Sequence, residues 1–227
     1  MKSCRLPTRR ECFDLLKEYH VPSHIVAHSL AVAKLAVFLA QRLKEKGIAV
    51  DIDLVDRACL LHDVVRACDF KESNCNDLTQ AVTDKDKAEW RQIRTRYKGT
   101  CHEDVTYDLL RERYPAVALA IKKHRYAAIL DEDEKEKPST WEEKLVYYAD
   151  KRVMHDRIVT LNERLEDAHK RNIHLHETEA QSKITTAKVD PVIFKLEKEI
   201  FDQVDLDADE VTDEFINSRS SRTLENL

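Results

Sequence analysis

Residues 59–66, Cys-Leu-Leu-His-Asp-Val-Val-Arg, set a histidine and an aspartate side by side among aliphatic residues. One such histidine says little, because a core imidazole can be satisfied by a single hydrogen bond. The pattern recurs along the chain, however. His28 shares a helical face with Ile25, Val32 and Leu35, and His62 shares one with Leu54, Ala58 and Val65, Asp63 lying beside it. His102 aligns with Val105, Thr106 and Leu109; Val117, Ala120 and Ile121 lead to His124; Val146 and Val153 flank Asp150. Five helices thus turn His28, His62, Asp63, His102, His124 and Asp150 toward the core. Burying the two acids unpaired costs several kcal/mol each, or forces them to protonate. A divalent cation where the side chains converge removes that cost, and four imidazoles with two carboxylates suit Fe, Mn, Co, Ni or Zn better than Ca or Mg. Six ligands exceed what one catalytic ion takes from protein while keeping an open position. Two ions sharing a carboxylate use them economically, and such pairs, about 3.5–4 Å apart, clamp the oxygens of a displacement at phosphorus.

The order His28, His62-Asp63, Asp150 resembles that of the HD superfamily, metal-dependent phosphohydrolases with an all-helical fold. Ala27–Ala40 (AHSLAVAKLAVFLA) resembles the helix of the first ligand, Leu60–Arg66 (LLHDVVR) the signature helix, and Tyr147–Val153 (YYADKRV) the closing aspartate segment. His102 and His124 match the subset that binds two metals. The resemblance covers about residues 20–160. It implies that His28, His62, Asp63 and Asp150 hold one ion, that Asp63 bridges to a second held by His102 and His124, and that a water acidified by both ions attacks phosphorus. Two departures stand out. Many two-metal members have lysine where this chain has Arg66, and the Gly-Tyr-Pro motif of the cyclic-di-GMP-cleaving branch is absent, which lowers cyclic dinucleotides as substrates.

Other residues surround this set. Arg66 follows His62 by one turn and is positioned to touch a substrate phosphate, and Lys151, next to Asp150, reaches toward the same mouth. His24 precedes His28 by one turn and is a candidate for substrate contact, whereas His155 reads as structural. His169, His174 and His176 read as a solvated turn. The segment 67–99 is long for a connector and carries Trp90, Arg91, Arg94, Arg96 and Lys98, which read as a solvated basic face or, more sharply, as a flap that stacks on a nucleotide.

The elements that must position these residues are helices. They are expected at 8–19, capped by Thr8; at 24–46, with Ser23 as cap and Gly47 as stop; at 53–66, capped by Asp51 or Asp53; at 84–97, closed by Gly99; at 102–113; and at 115–125, opened by Pro115. Ser139 and Thr140, each with a glutamate three residues on, open a helix to about 168 through overlapping capping boxes. Asp190-Pro191 opens a last helix to about 204. The expected fold class is all-α, a single helical HD-type bundle. It spans 1–204, with its core at 20–160 and C-terminal helices at 161–204, and is followed by an acidic and polar mobile tail, 205–227.

Composition narrows the functions. With two glycines, Gly47 and Gly99, neither a P-loop nor a dinucleotide fingerprint can be written, and 36% charged residues favour long helices. A net charge of −5 argues against nucleic acid as an obligate partner. No apolar run approaches a membrane span of about 20 residues, and no hydrophobic signal segment follows the basic start, so the expected location is the cytoplasm. Six cysteines without a C-x-x-C pair read as core residues or free thiols. The expected activity is phosphohydrolysis of a nucleotide or other small phosphate ester, with a homodimer possible. A nucleotide-sensing module without turnover, or a metal-free interaction protein, remains the alternative.

Overall fold

A computed structural model describes residues 5–69, 82–133, 135–172 and 179–224. Among these the architecture is all-α, as expected, with one two-stranded ribbon. Helix α1 (Arg9–Glu18) starts at Thr8, whose side chain and that of Glu11 cap each other's backbone N–H. Helix α2 (Ser23–Glu45) runs through the centre of the bundle and packs on α3 (Ile52–Leu61) and on α7 (Trp141–Asp150). Gly47 follows it with φ +82°, the left-handed conformation that lets the chain reverse. By length and composition α2 could cross a membrane, contrary to the sequence expectation. Its apolar residues, among them Val32, Leu35, Leu39 and Leu43, are spent on the protein core instead.

Helices α4 (Asp84–Arg96), α5 (His102–Leu110) and α6 (Pro115–Lys122) follow, Pro115 opening the last of these as the sequence foretells. Thr140 caps α7 in a box with Glu143. The second, overlapping box does not form: Ser139 also bonds Glu143, while Glu142 accepts from the Asp51 backbone N–H. Glu143 further pairs with buried Lys123 at 2.8 Å, tying the end of α6 to the start of α7.

Several expected boundaries are corrected. The third helix stops at Leu61 rather than 66, and Arg66–Asp69 forms a separate 3₁₀ turn. The Thr140 helix stops at Asp150 rather than 168. It gives way to a hairpin, β1 (Val153–Met154) with β2 (Arg157–Ile158), and then to α8 (Leu161–Asn172). Two-residue strands are too short for an alternating pattern to declare itself. Pro191 lies inside α9 (Glu179–Val204) instead of opening a helix. The ring removes one helix hydrogen bond, and beside it Asp190 accepts a 2.5 Å hydrogen bond from the Tyr126 hydroxyl.

The stretch read as a mobile tail also packs. Val211 and Ile216 are buried, and Asp213 both pairs with Lys34 and accepts from Ile158 N–H. Here α10 (Asp213–Leu224) closes over α2, Phe215 meeting Phe38 edge-on. Arg152, 1% exposed, organises this end: its guanidinium donates to the carbonyls of Val159, Ala208 and Val211, to the Tyr148 hydroxyl and to Glu197. Of the two readings of the basic helix the solvated face holds, with Arg91, Arg96 and Lys98 exposed, and the flap does not. Trp90 is 1% exposed, packs with Ala67 and Ile93, and donates its indole N–H to the His20 carbonyl, so it offers no stacking face.

Candidate metal centre

The four histidines and two aspartates of the sequence reading do converge, and most of them sit at helix ends. His62 is the C-cap of α3, His124 lies just past α6, His102 is the first residue of α5, and Asp150 is the last of α7. His28 alone is in the body of a helix. The helix ends have a local cause. A C-terminal turn leaves carbonyls without intrahelical partners, and two imidazoles take them: His62 Nδ1 lies 2.7 Å from Cys59 O, and His124 Nδ1 2.5 Å from Ile121 O. His28 Nδ1 lies 2.7 Å from the carbonyl of His155, and His102 Nδ1 2.6 Å from Asp69 Oδ2. For His28, His62 and His124 the Nδ1–H is thereby committed outward and Nε2 is left facing the interior, while His102 Nδ1 sits between Asp69 Oδ2 and, at 2.7 Å, Arg66 Nη1, with its Nε2 also turned inward.

The rings form a row. His28 and His62 are 5.3 Å apart centroid to centroid, His62 and His124 5.2 Å, His124 and His102 5.2 Å. Asp150 Oδ1 lies 3.1 Å from His28 Nε2 and 3.6 Å from His62 Nε2, and Asp63 Oδ1 lies 3.0 Å from His102 Nε2. Asp63 Oδ2 stands 3.6 Å from His62 Nε2, so its two oxygens face opposite ends of the row. Donor atoms of His28, His62 and Asp150, of His62, Asp63 and His124, and of His102, Glu103 and His124 each fall within 4.8 Å of one another.

Electrostatics reinforces the picture. Burial pushes Asp63 and Asp150 upward, yet His62 and His102 around the first, and Lys151, His28 and His62 around the second, hold both well below the usual carboxylate range. Burial and Arg66 push His102 down, but its bonds to Asp63 and Asp69 and the Asp63 charge raise it to about 9. Burial takes neighbouring His124 down to about 3. Their Nε2 atoms are 3.3 Å apart and His102 Nε2 also lies 3.0 Å from Asp63 Oδ1, so a proton on His102 Nε2 has an acceptor on each side. Without a cation, a proton occupies that gap. Cation binding at pH 7 is therefore expected to expel at least about one proton per chain, and affinity to climb roughly tenfold per pH unit up to near pH 9, the folded-state value of His102. Calorimetric titration in buffers of different ionisation enthalpy measures this; zero proton release would refute it.

One observation tests whether these residues fit a metal. His62 Nε2 is buried and makes no hydrogen bond, although two carboxylates stand 3.6 Å away. A buried polar atom left unmade is costly. Burial pushes His62 down, yet Asp63 and Asp150 raise it above the ordinary imidazole range; the position attracts positive charge, and a ring nitrogen facing two carboxylates suits a cation ligand, so the donor set fits.

The neighbouring residues fall as follows. Arg66 is 39% exposed, lines the cavity above the cluster and pairs with Asp69 at 2.8 Å. Lys151 lines it too but is buried, its ammonium bound to Asp150 Oδ2 at 2.7 Å and to the His124 carbonyl at 2.8 Å, which holds two candidate ligands in place. His24 and His155 also line the cavity. His155 has φ +58° at the β1–β2 turn, and its carbonyl orients His28, a link across 127 residues that no local pattern announces. His169 belongs to α8 and approaches Asp190, while His174 and His176 lie outside the described residues. The sequence reading missed Asp69 and Glu103; the acid after His102 repeats the His-Asp doublet and was the available signal.

A helical bundle whose helix ends gather imidazoles and carboxylates around one cavity has the build of a metal-binding protein. The chain belongs to the HD-domain family, whose profile matches residues 25–155, and that family is one of metal-dependent phosphohydrolases. A tRNA (cytidine(56)-2'-O)-methyltransferase from Picrophilus torridus is 24% identical over 169 residues, 74% of this chain and 43% of that protein. The chain thus spans less than half the length of that relative. No solved structure matches the chain.

Proposed function

We propose that this chain hydrolyses a phosphate ester or anhydride of a nucleotide or another small phosphorylated molecule, using two divalent transition-metal ions. The supporting observation is the unbonded, buried Nε2 of His62 between Asp63 and Asp150, in a cluster whose other imidazoles also turn Nε2 inward. His28, His62, Asp63 and Asp150 would hold one ion, and Asp63, His102 and His124 the other. Bound there, such ions polarise a phosphoryl oxygen and make water nucleophilic near neutral pH.

The chain's own groups do the rest. Asp69 aligns His102 and holds Arg66 at the mouth, where the remaining guanidinium N–H groups can bind phosphate oxygens. Lys151 keeps Asp150 charged and in place. The cavity, about 720 Å³, lies in the range of small-molecule sites and extends from the cluster to α8, where Leu165 and Ala168 line it beside Arg164, His169 and Arg171, a mixed apolar and basic wall suited to a phosphorylated organic substrate. The methyl transfer named for the archaeal relative belongs to a protein of which this chain spans 43%, and it is not carried over.

Chelator-treated protein reloaded separately with Mn, Fe, Co, Ni or Zn, then assayed for phosphate release from nucleotides, dinucleoside polyphosphates and simple monoesters, tests the reading. Turnover is expected that chelator abolishes and metal restores. Nucleotide binding without turnover under any metal would favour a sensing module instead.

A further inference from the structure

Glu103 has no place in the six-residue set, yet it is 8% exposed and its Oε2 is buried without a hydrogen bond. The two donor nitrogens on this side of the cluster, His102 Nδ1 and Arg66 Nη1, already meet Asp69. Oε2 stands 3.2 Å from His102 Nδ1, whose proton goes to Asp69 at 2.6 Å, and Arg66 Nη1 is likewise bound to Asp69 at 2.8 Å. A buried carboxylate oxygen with nothing to accept is expensive. Its carboxylate also falls within 4.8 Å of donor nitrogens on His102 and His124, an envelope that one ion can fill.

We propose that Glu103 is a cation ligand, completing with His102 and His124 the set of the second ion. The inference rests on reading the cluster as a metal centre and goes beyond it by adding a ligand. It makes the two ends of the row chemically alike. His28, His62 and Asp150 at one end, and His102, His124 and Glu103 at the other, each offer two imidazoles and one acid of their own, with Asp63 shared between them. Without Glu103 the second ion would have only the shared carboxylate against its charge. Placement in the first turn of α5, just after the N-cap Cys101, favours a negative side chain at this position. A second carboxylate also turns this end toward harder ions such as Mn²⁺ relative to an imidazole-dominated site.

The test uses Mn²⁺ alone with the full-length chain, comparing wild type, Glu103→Ala and the isosteric Glu103→Gln. Readouts are ions bound per chain after equilibrium dialysis, the spin-coupled signal of an ion pair by electron paramagnetic resonance, and thermal melting to confirm the fold. Wild type is expected to bind two ions with a coupled signal. Both variants are expected to keep the first, to lose the coupled signal, and to bind the second more than about 100-fold more weakly. Should Glu103→Ala fail to fold, Glu103→Gln decides. Two ions held with equal affinity by wild type and Glu103→Gln would overturn the ligand assignment and leave the metal centre standing. A single ion in wild type, unchanged by the substitution, would also overturn it. No bound ion in wild type would remove the metal centre itself, and the inference with it.

Discussion

Asp63→Asn protein is expected to lose both cations and to fall below about one-thousandth of wild-type turnover, while keeping its fold. The reason is the position of the two carboxylate oxygens, one 3.0 Å from His102 Nε2 and the other 3.6 Å from His62 Nε2. No other carboxylate described here reaches both ends of the imidazole row. Asparagine keeps the shape and removes the charge, so lost function cannot be ascribed to lost packing. Both changes remove the Asp63 charge that helps raise His102 to about 9, but alanine also removes volume and is the less informative change. Elemental analysis after dialysis, combined with turnover, is the measurement. Asp63→Asn protein retaining two ions per chain would contradict a bridging role.

Arg152→Met is expected to cost about 3–5 kcal/mol of stability, the range for removing one partner of a buried charge network. In a chain of this size that corresponds to a fall in Tm on the order of 10 °C. The guanidinium is 1% exposed and ties together the end of α7, the hairpin exit at Val159, Glu197 of α9 and the Ala208–Val211 turn before α10. Its loss leaves Glu197 with the Tyr148 hydroxyl but no countercharge, and leaves the Val159, Ala208 and Val211 carbonyls without their donor. The hairpin it steadies also carries the His155 carbonyl that orients His28, so a weakened first ion is expected alongside the lower Tm. Differential scanning calorimetry and metal affinity test this together. A variant melting within 2 °C of wild type, on the order of what 1 kcal/mol produces, would show that Arg152 contributes packing alone.

The sequence by itself determined which residues could form a metal centre. Glycine poverty and 3.6-residue periodicity imply helices, and polar residues on otherwise apolar faces mark His28, His62, Asp63, His102, His124 and Asp150, because burying such groups without a purpose is too costly to be accidental. Caps such as Thr8, Asp51 and Thr140, and the stops at Gly47 and Gly99, are local chemistry and were legible for that reason.

What the sequence could not determine was how each side chain is aimed. That depends on groups distant along the chain: the His155 carbonyl on His28, Asp69 on His102, Lys151 on the His124 carbonyl. The Val153–Ile158 hairpin, the unbroken α9 through Pro191 and the packed α10 were misread for the same reason. Arg152, Asp190 and Asp213 find their partners, the Ala208 carbonyl, the Tyr126 hydroxyl and the Ile158 N–H, only once these distant segments lie together. Periodicity reports which side of an element faces inward. Which atom then meets which is settled by tertiary packing, because hydrogen-bond direction and a spacing of a few ångströms are properties of converging elements and not of any one of them.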